Sequence, residues 1–204
     1  MKNILCLSGL CLLLFSACKK QDLFLNENIN ITKDNLSLIP FSQYTIRQGQ
    51  QFCDKSTFTV VEYSELKFVV KFDSSAIYIT KNPSNQYDIN KLYGFADNDS
   101  AHHRYSARFG WRWSDDALRL FAYIYNSGIR TSKELGKIQI GAENNCSIKV
   151  TDGHYIFSLN NINDTLLRSS TTVKGRGYKL YPYFGGDETA PHDINILIRE
   201  IKAD

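Results

Sequence analysis

The segment Arg104–Asn126, RYSARFGWRWSDDALRLFAYIYN, constrains this chain more than any other. Tyr105, Ala107, Phe109, Trp111 and Trp113 alternate with Arg104, Ser106, Arg108, Gly110 and Arg112, the two-residue period that sends successive side chains to opposite faces of a strand. Asp115-Asp116 offers a two-residue turn, after which the alternation resumes. With that turn, residue i pairs with residue 231 − i. Trp113 then faces Leu118, Trp111 faces Leu120, Phe109 faces Ala122 and Ala107 faces Ile124, so one face is wholly apolar. The other face carries Arg112 beside Arg119, Gly110 beside Phe121, Arg108 beside Tyr123 and Ser106 beside Tyr125. A hairpin with one such apolar face requires a second layer to cover it.

The remainder of the chain supplies that layer in short pieces. Leu66, Phe68, Val70 and Phe72 alternate with more polar neighbours, Tyr155, Phe157 and Leu159 share a face, and Ile194–Ile201 closes the sequence with another beta-type run. Asn82-Pro83-Ser84-Asn85, Gly94–Ser100, Asn126-Ser127-Gly128 and Thr151-Asp152-Gly153 read as turns or loops. No amphipathic helix of ten residues is apparent. About ten short strands at this spacing predict an all-β chain, an antiparallel β-sandwich. Its architecture is similar to the concanavalin-like jelly rolls, a resemblance covering about residues 40–204 and resting on strand pattern, with no diagnostic motif.

The N-terminal stretch has a positive start at Lys2 and an apolar run from Ile4 to Phe15, too short to span a bilayer. Phe15-Ser16-Ala17-Cys18 resembles the lipobox of bacterial lipoproteins, with Phe15 where Leu is commoner. The following Cys18-Lys19-Lys20-Gln21-Asp22 is similar to the start of short Bacteroidota-type lipoproteins. The resemblance implies residues 1–17 as a signal peptide, Cys18 as the lipidation site, residues 18–38 as a tether and residues 39–204 as the folded domain. It further implies a cell-envelope address, at the outer membrane, with membrane contact through acyl chains. With 24 basic against 21 acidic residues the net charge is only +3, which gives no reason to expect a nucleic-acid partner. Cys53 and Cys146 are the two cysteines beyond Cys18, and in an oxidising compartment an even pair is expected to form a disulfide.

Three groups of residues suggest chemistry. Arg104, Arg108, Arg112, Arg119, Phe121, Tyr123 and Tyr125 make a stripe in which aromatic rings could stack on sugars while guanidinium groups bind hydroxyls or carboxylates. The alternative is a solvated sheet face whose arginines pair with loop acids. Asp187, Glu188 and Asp193, in the loop before the last strand, offer oxygen ligands for calcium, against the plainer role of capping turns. His102-His103 enters the hairpin as a surface turn or as a pair of proton-transfer groups.

These features predict a lipid-anchored protein that binds a glycan or similar extended ligand without transforming it. Two alternatives stay open, a polysaccharide lyase or hydrolase and a structural subunit of an envelope complex. Phe121–Asn126 resembles the Tyr-Phe-Lys-Ala-Gly-x-Tyr-Asn strand of jelly-roll alginate lyases, and Arg104–Arg112 is arginine-rich like their earlier strand. Here the lysine is replaced, the Gln-x-His strand is missing and the order of segments differs. The paired-acid strand Glu-x-Asp-x-x-Glu of sandwich glycosidases does not occur.

Overall fold

The structure, a computed structural model, describes residues 39–202. The expected signal peptide, lipidation site Cys18 and tether lie outside the described residues. Among the described residues twelve strands form two six-stranded antiparallel sheets. The first contains β1 (Ser42–Ile46), β3 (Glu65–Phe72), β8 (Asn144–Thr151), β9 (His154–Leu159), β10 (Ile162–Leu167) and β12 (Ile194–Ile201), in the order β1-β12-β3-β8-β9-β10. The second contains β2 (Val60–Tyr63), β4 (Asn90–Ala96), β5 (Tyr105–Ser114), β6 (Ala117–Asn126), β7 (Ile129–Ile138) and β11 (Gly175–Leu180), in the order β2-β11-β4-β5-β6-β7. The result is an all-β jelly-roll sandwich, as the strand pattern predicts.

The central hairpin has the predicted register throughout: Trp111 pairs with Leu120, Phe109 with Ala122 and Arg108 with Tyr123. Asp115 and Asp116 both take positive φ, 50° and 52°. Those are the left-handed values a two-residue turn needs if its twist is to match the strands. The apolar face of the hairpin meets β3 and β9 of the other sheet, where Phe109 packs edge-on against Phe68 and Phe157, each at 5.4 Å, and Phe72 lies tilted against Trp111 at 5.3 Å. Trp111 and Phe109 are fully buried.

Two polar ties join the sheets at their margins. Asp97, just after β4, is fully buried and paired with Arg168, which follows β10. On β12, Glu200 accepts hydrogen bonds from Tyr63 (2.8 Å), Tyr93 (2.6 Å) and Lys179 (2.6 Å), which stand on β2, β4 and β11.

The predicted disulfide does not form. Cys53 and Cys146 are both buried free thiols. Cys53 bridges to Ile46 of β1, whereas Cys146 lies on β8, and β12 and β3 intervene between those strands. At about 4.8 Å per strand this separation is well beyond the roughly 4.4–6.8 Å between Cα atoms that a disulfide spans.

β4 was hidden in the sequence, where Gly94–Ser100 reads as a loop; Gly94, Phe95 and Ala96 instead complete a buried strand. Pairing of Lys91 with Gly110 and of Gly94 with Arg108 leaves Leu92 and Tyr93 of β4 opposite Phe109 alone of β5, a β-bulge. A bulge of this kind re-aims side chains. Here it places Lys91 on the same sheet face as Arg108.

Candidate functional site

Part of the hairpin's outer face lines a groove of about 480 Å³. Arg108 and Tyr123 are its floor, 6% and 2% exposed. Around them stand Lys91 from β4, His102 and His103 from the turn before β5, Tyr125 from β6, Arg130 from β7, and Tyr181 and Tyr183 from the segment after β11. A smaller recess of about 130 Å³ continues past Lys91, Tyr123 and Arg130. Bulk from the strand ends and loops, invisible in the two-residue alternation, buries what the hairpin alone would expose.

The predicted stripe divides. Arg108, Tyr123 and Tyr125 line the groove; Arg104, Arg112, Arg119 and Phe121 do not. Arg112 is stacked at 4.8 Å over Phe121 and bonded to Ser114 Oγ and the Tyr87 carbonyl. Arg119 is tied to Asp115 and Glu134. Those two arginines have the fixed structural partners of the plainer reading. Arg104 is exposed in the turn before β5.

Arg108 differs from them in having no acidic partner among the described residues, and its buried Nε has no hydrogen bond. Its guanidinium lies 5.3 Å from the Tyr123 ring centroid. Gly94 stands directly opposite it, and a Cβ there would fall 2.3 Å from Arg108 Cβ, so only glycine leaves the arginine room. Burial pushes Arg108 down to about 10, and the partial negative character of Tyr123, Tyr125, Tyr178 and Tyr183 opposes the shift.

His102 donates its backbone N–H to Tyr178 Oη at 3.1 Å and places Nδ1 2.8 Å from the same oxygen. Burial, then Arg108 and His103, bring this imidazole down to about 4, so it is neutral at ordinary pH. Its ring lies 4.2 Å from that of His103, which packs edge-on against Tyr125 at 5.3 Å. Burial and a hydrogen bond with Tyr125 raise the Tyr123 phenol, which keeps its proton. Of the groove cations Lys179 is paired, with Glu200. No aspartate or glutamate lines the groove among the described residues.

The acidic loop does not assemble the predicted calcium site. Glu188 accepts from the Lys81 and Asn82 amides at 2.8 Å each and from Asn85 Nδ2 at 2.9 Å, while Asp193 accepts from the Gln48 amide at 2.8 Å and from Arg47 at 2.7 Å. Asp187, Glu188 and Asp193 therefore do not converge, and among the described residues no three His, Cys, Asp or Glu side chains could hold a metal ion. Glu188 and Asp193 pin two separate turns, the capping role.

Lys91, His102, His103, Arg130 and Tyr183 line the groove although they stand outside the stripe of arginines and aromatics. The adjacent histidines were the one local signal; nothing local marks Lys91, Arg130 or Tyr183.

No protein-family model and no curated protein sequence matches this chain. Among solved structures it is similar to the alginate lyase AlyC3, at 8% identity and a TM-score of 0.55, over 79% of this chain and 74% of that one. It is also similar to a Bacteroides ovatus mixed linkage glucan GH16 protein, at 13% identity and a TM-score of 0.50, over 79% and 81% of the two chains. At such identities the likeness is one of fold, and the domain has the jelly-roll sandwich that these carbohydrate-active proteins share.

Proposed function

We propose that this protein cleaves an acidic polysaccharide by β-elimination, with Arg108 receiving the uronate carboxylate. The buried, unpaired guanidinium of Arg108 in a groove lined by histidines and tyrosines carries the reading. An uncompensated charge in such a place is costly, and an anionic ligand supplies the counter-charge. Once its carboxylate is held by Arg108, a uronate is easier to deprotonate at C5. A base takes that proton, the C4–O bond breaks with its electron pair leaving on oxygen, a hydroxyl protonates that oxygen, and C4=C5 forms. His102, neutral at ordinary pH, is the candidate base, and Tyr123, which keeps its proton, the candidate acid. The fold neighbours named above, an alginate lyase among them, are consistent with a glycan ligand.

Hydrolysis is less well supported, because a retaining or inverting glycosidase uses two carboxyl groups flanking the scissile bond and none lines this groove among the described residues. Non-catalytic binding of the same glycan is the second reading. The observation that favours it is His102 itself, whose fall to about 4 makes it a weak base. Incubation with alginate, pectin and glycosaminoglycans, followed by absorbance of the unsaturated product, separates the two. Product is expected from at least one polymer, and Tyr123→Phe, which keeps the ring and removes the hydroxyl, is expected to slow its formation by roughly 10²–10⁴-fold. Binding without product from any of them would leave the non-catalytic reading.

We also propose that Cys18 carries acyl chains that hold the domain at the cell envelope, at the outer membrane, as the lipobox-like Phe15–Cys18 supports. The wild-type chain should fractionate with membranes and Cys18→Ala should be released; equal release of both would refute the anchor.

A further inference from the structure

The recess of about 130 Å³ beyond the groove floor is lined in part by Tyr87, Asp88, Lys91, Tyr123, Arg130 and Ser132. We propose that it is a second anion subsite, in which Lys91, aided by Arg130, takes a carboxylate or sulfate of the ligand whose first anionic group lies on Arg108. The inference rests on the groove being the glycan site.

Its basis is the way Lys91 is held. The β4 bulge turns Lys91 to the Arg108 face. There its Nζ donates to the Ile89 carbonyl at 2.8 Å and lies 5.3 Å from the Tyr123 ring centroid, the same distance as Arg108 from that ring. One tyrosine thus joins the two cations, and each is left without an acidic partner in an ion pair among the described residues. Gly185 passes directly over the ammonium: a Cβ there would lie 2.3 Å from Lys91 Nζ and 2.6 Å from the Ile89 carbonyl oxygen. Its amide is fixed by Asn90 Oδ1 at 2.7 Å, so the turn cannot easily move aside. Gly185-Gly186 is a close cover over Lys91 and Asp88.

The charged and titratable groups facing Lys91 are Arg108 from β5, Tyr123 from β6, Arg130 from β7, Asp88 from the segment before β4 and Tyr183 from the segment after β11. Burial first, then Arg108 and Arg130, bring Lys91 down to about 8, and Asp88 alone opposes them. An arriving anion favours the ammonium form, so binding takes up a proton at mildly alkaline pH. Affinity for an acidic ligand should therefore be full below about 8 and fall as pH rises through that value.

The test measures binding of alginate (carboxylate) and dextran sulfate (sulfate), with unmodified dextran as the uncharged control, across that pH range. It compares the full chain with its Lys91→Met, Lys91→Arg and Arg108→Met variants. Lys91→Met should weaken binding of one or both charged polymers about tenfold below that pH and remove the alkaline fall, a change that loss of packing alone would not produce. Lys91→Arg should keep affinity at alkaline pH, because a guanidinium stays charged there. Wild-type affinity and pH dependence in Lys91→Met would overturn the subsite. If Arg108→Met alone loses binding, the groove reading stands and only the subsite fails. If the wild type binds neither charged polymer better than dextran, both fall together.

Discussion

Asp97→Ala is expected to destabilise the fold by about 3–5 kcal/mol, the usual cost of removing one partner from a buried ion pair. Asp97 is fully buried, and its carboxylate accepts from Arg168 Nε at 2.8 Å, from Tyr155 Oη, and from the amides of Asn98 (2.6 Å) and Arg176 (3.1 Å). Arg168, its side chain 3% exposed, would be left as a charge in the interior with only neutral partners. Equilibrium denaturation in urea measures the loss, and a cost under about 1 kcal/mol would show that the tie between the sheet margins is dispensable. Burial alone would raise the Asp97 carboxyl, yet the Arg168, Tyr155 and Asn98 bonds outweigh it and hold the group below its ordinary 3.8. A carboxyl lowered in the folded state adds stability above its unfolded value. That stability is lost as pH falls through the folded value, so strong acid should destabilise the wild type and have less effect on the alanine variant.

Arg108→Met should do the opposite to stability and the most damage to activity. Methionine fills much of the same space without a charge, and removing a buried, unpaired cation is expected to leave stability unchanged or raise it by about 1–3 kcal/mol. Turnover of an acidic polymer should meanwhile fall by roughly 10²–10³-fold, the loss typical when a group aimed at developing charge is removed. Such a pairing, gain in stability with loss of function, is the signature of a residue kept for its ligand. A variant that unfolds more easily while retaining activity would mean that Arg108 serves packing alone. Arg112→Met and Arg119→Met are useful contrasts, because those guanidinium groups already have protein partners and lie outside the groove.

Much of the central hairpin was legible from order alone. A two-residue turn leaves one register, and the side-chain period of two then assigns every residue of β5 and β6 to a face. The same logic identified Arg108, Tyr123 and Tyr125 as neighbours. It could not distinguish Arg108 from Arg112 and Arg119, which carry the same side chain on the same face. Their difference lies in what reaches them: Tyr87, Asp115 and Glu134 for the latter two, and a cover of tyrosines and histidines for Arg108.

Sequence by itself thus determined the sandwich, because alternation and turn chemistry are local and the apolar faces they create can be buried in few ways. Tertiary structure decided the rest. Sheet order put β12 and β3 between the strand beside Cys53 and the strand bearing Cys146, which no count of cysteines reveals. A single bulge in β4 reversed the face of Lys91 relative to simple alternation, and Gly94 and Gly185 gave the two cations their space. The groove gathers residues from β4, β5, β6, β7 and the segment after β11, and among the described residues none of the acids that neutralise arginine elsewhere lines it. Which charges are left without partners is a property of long-range packing, and that property turned a stripe of arginines and aromatics into a candidate site for an anionic glycan.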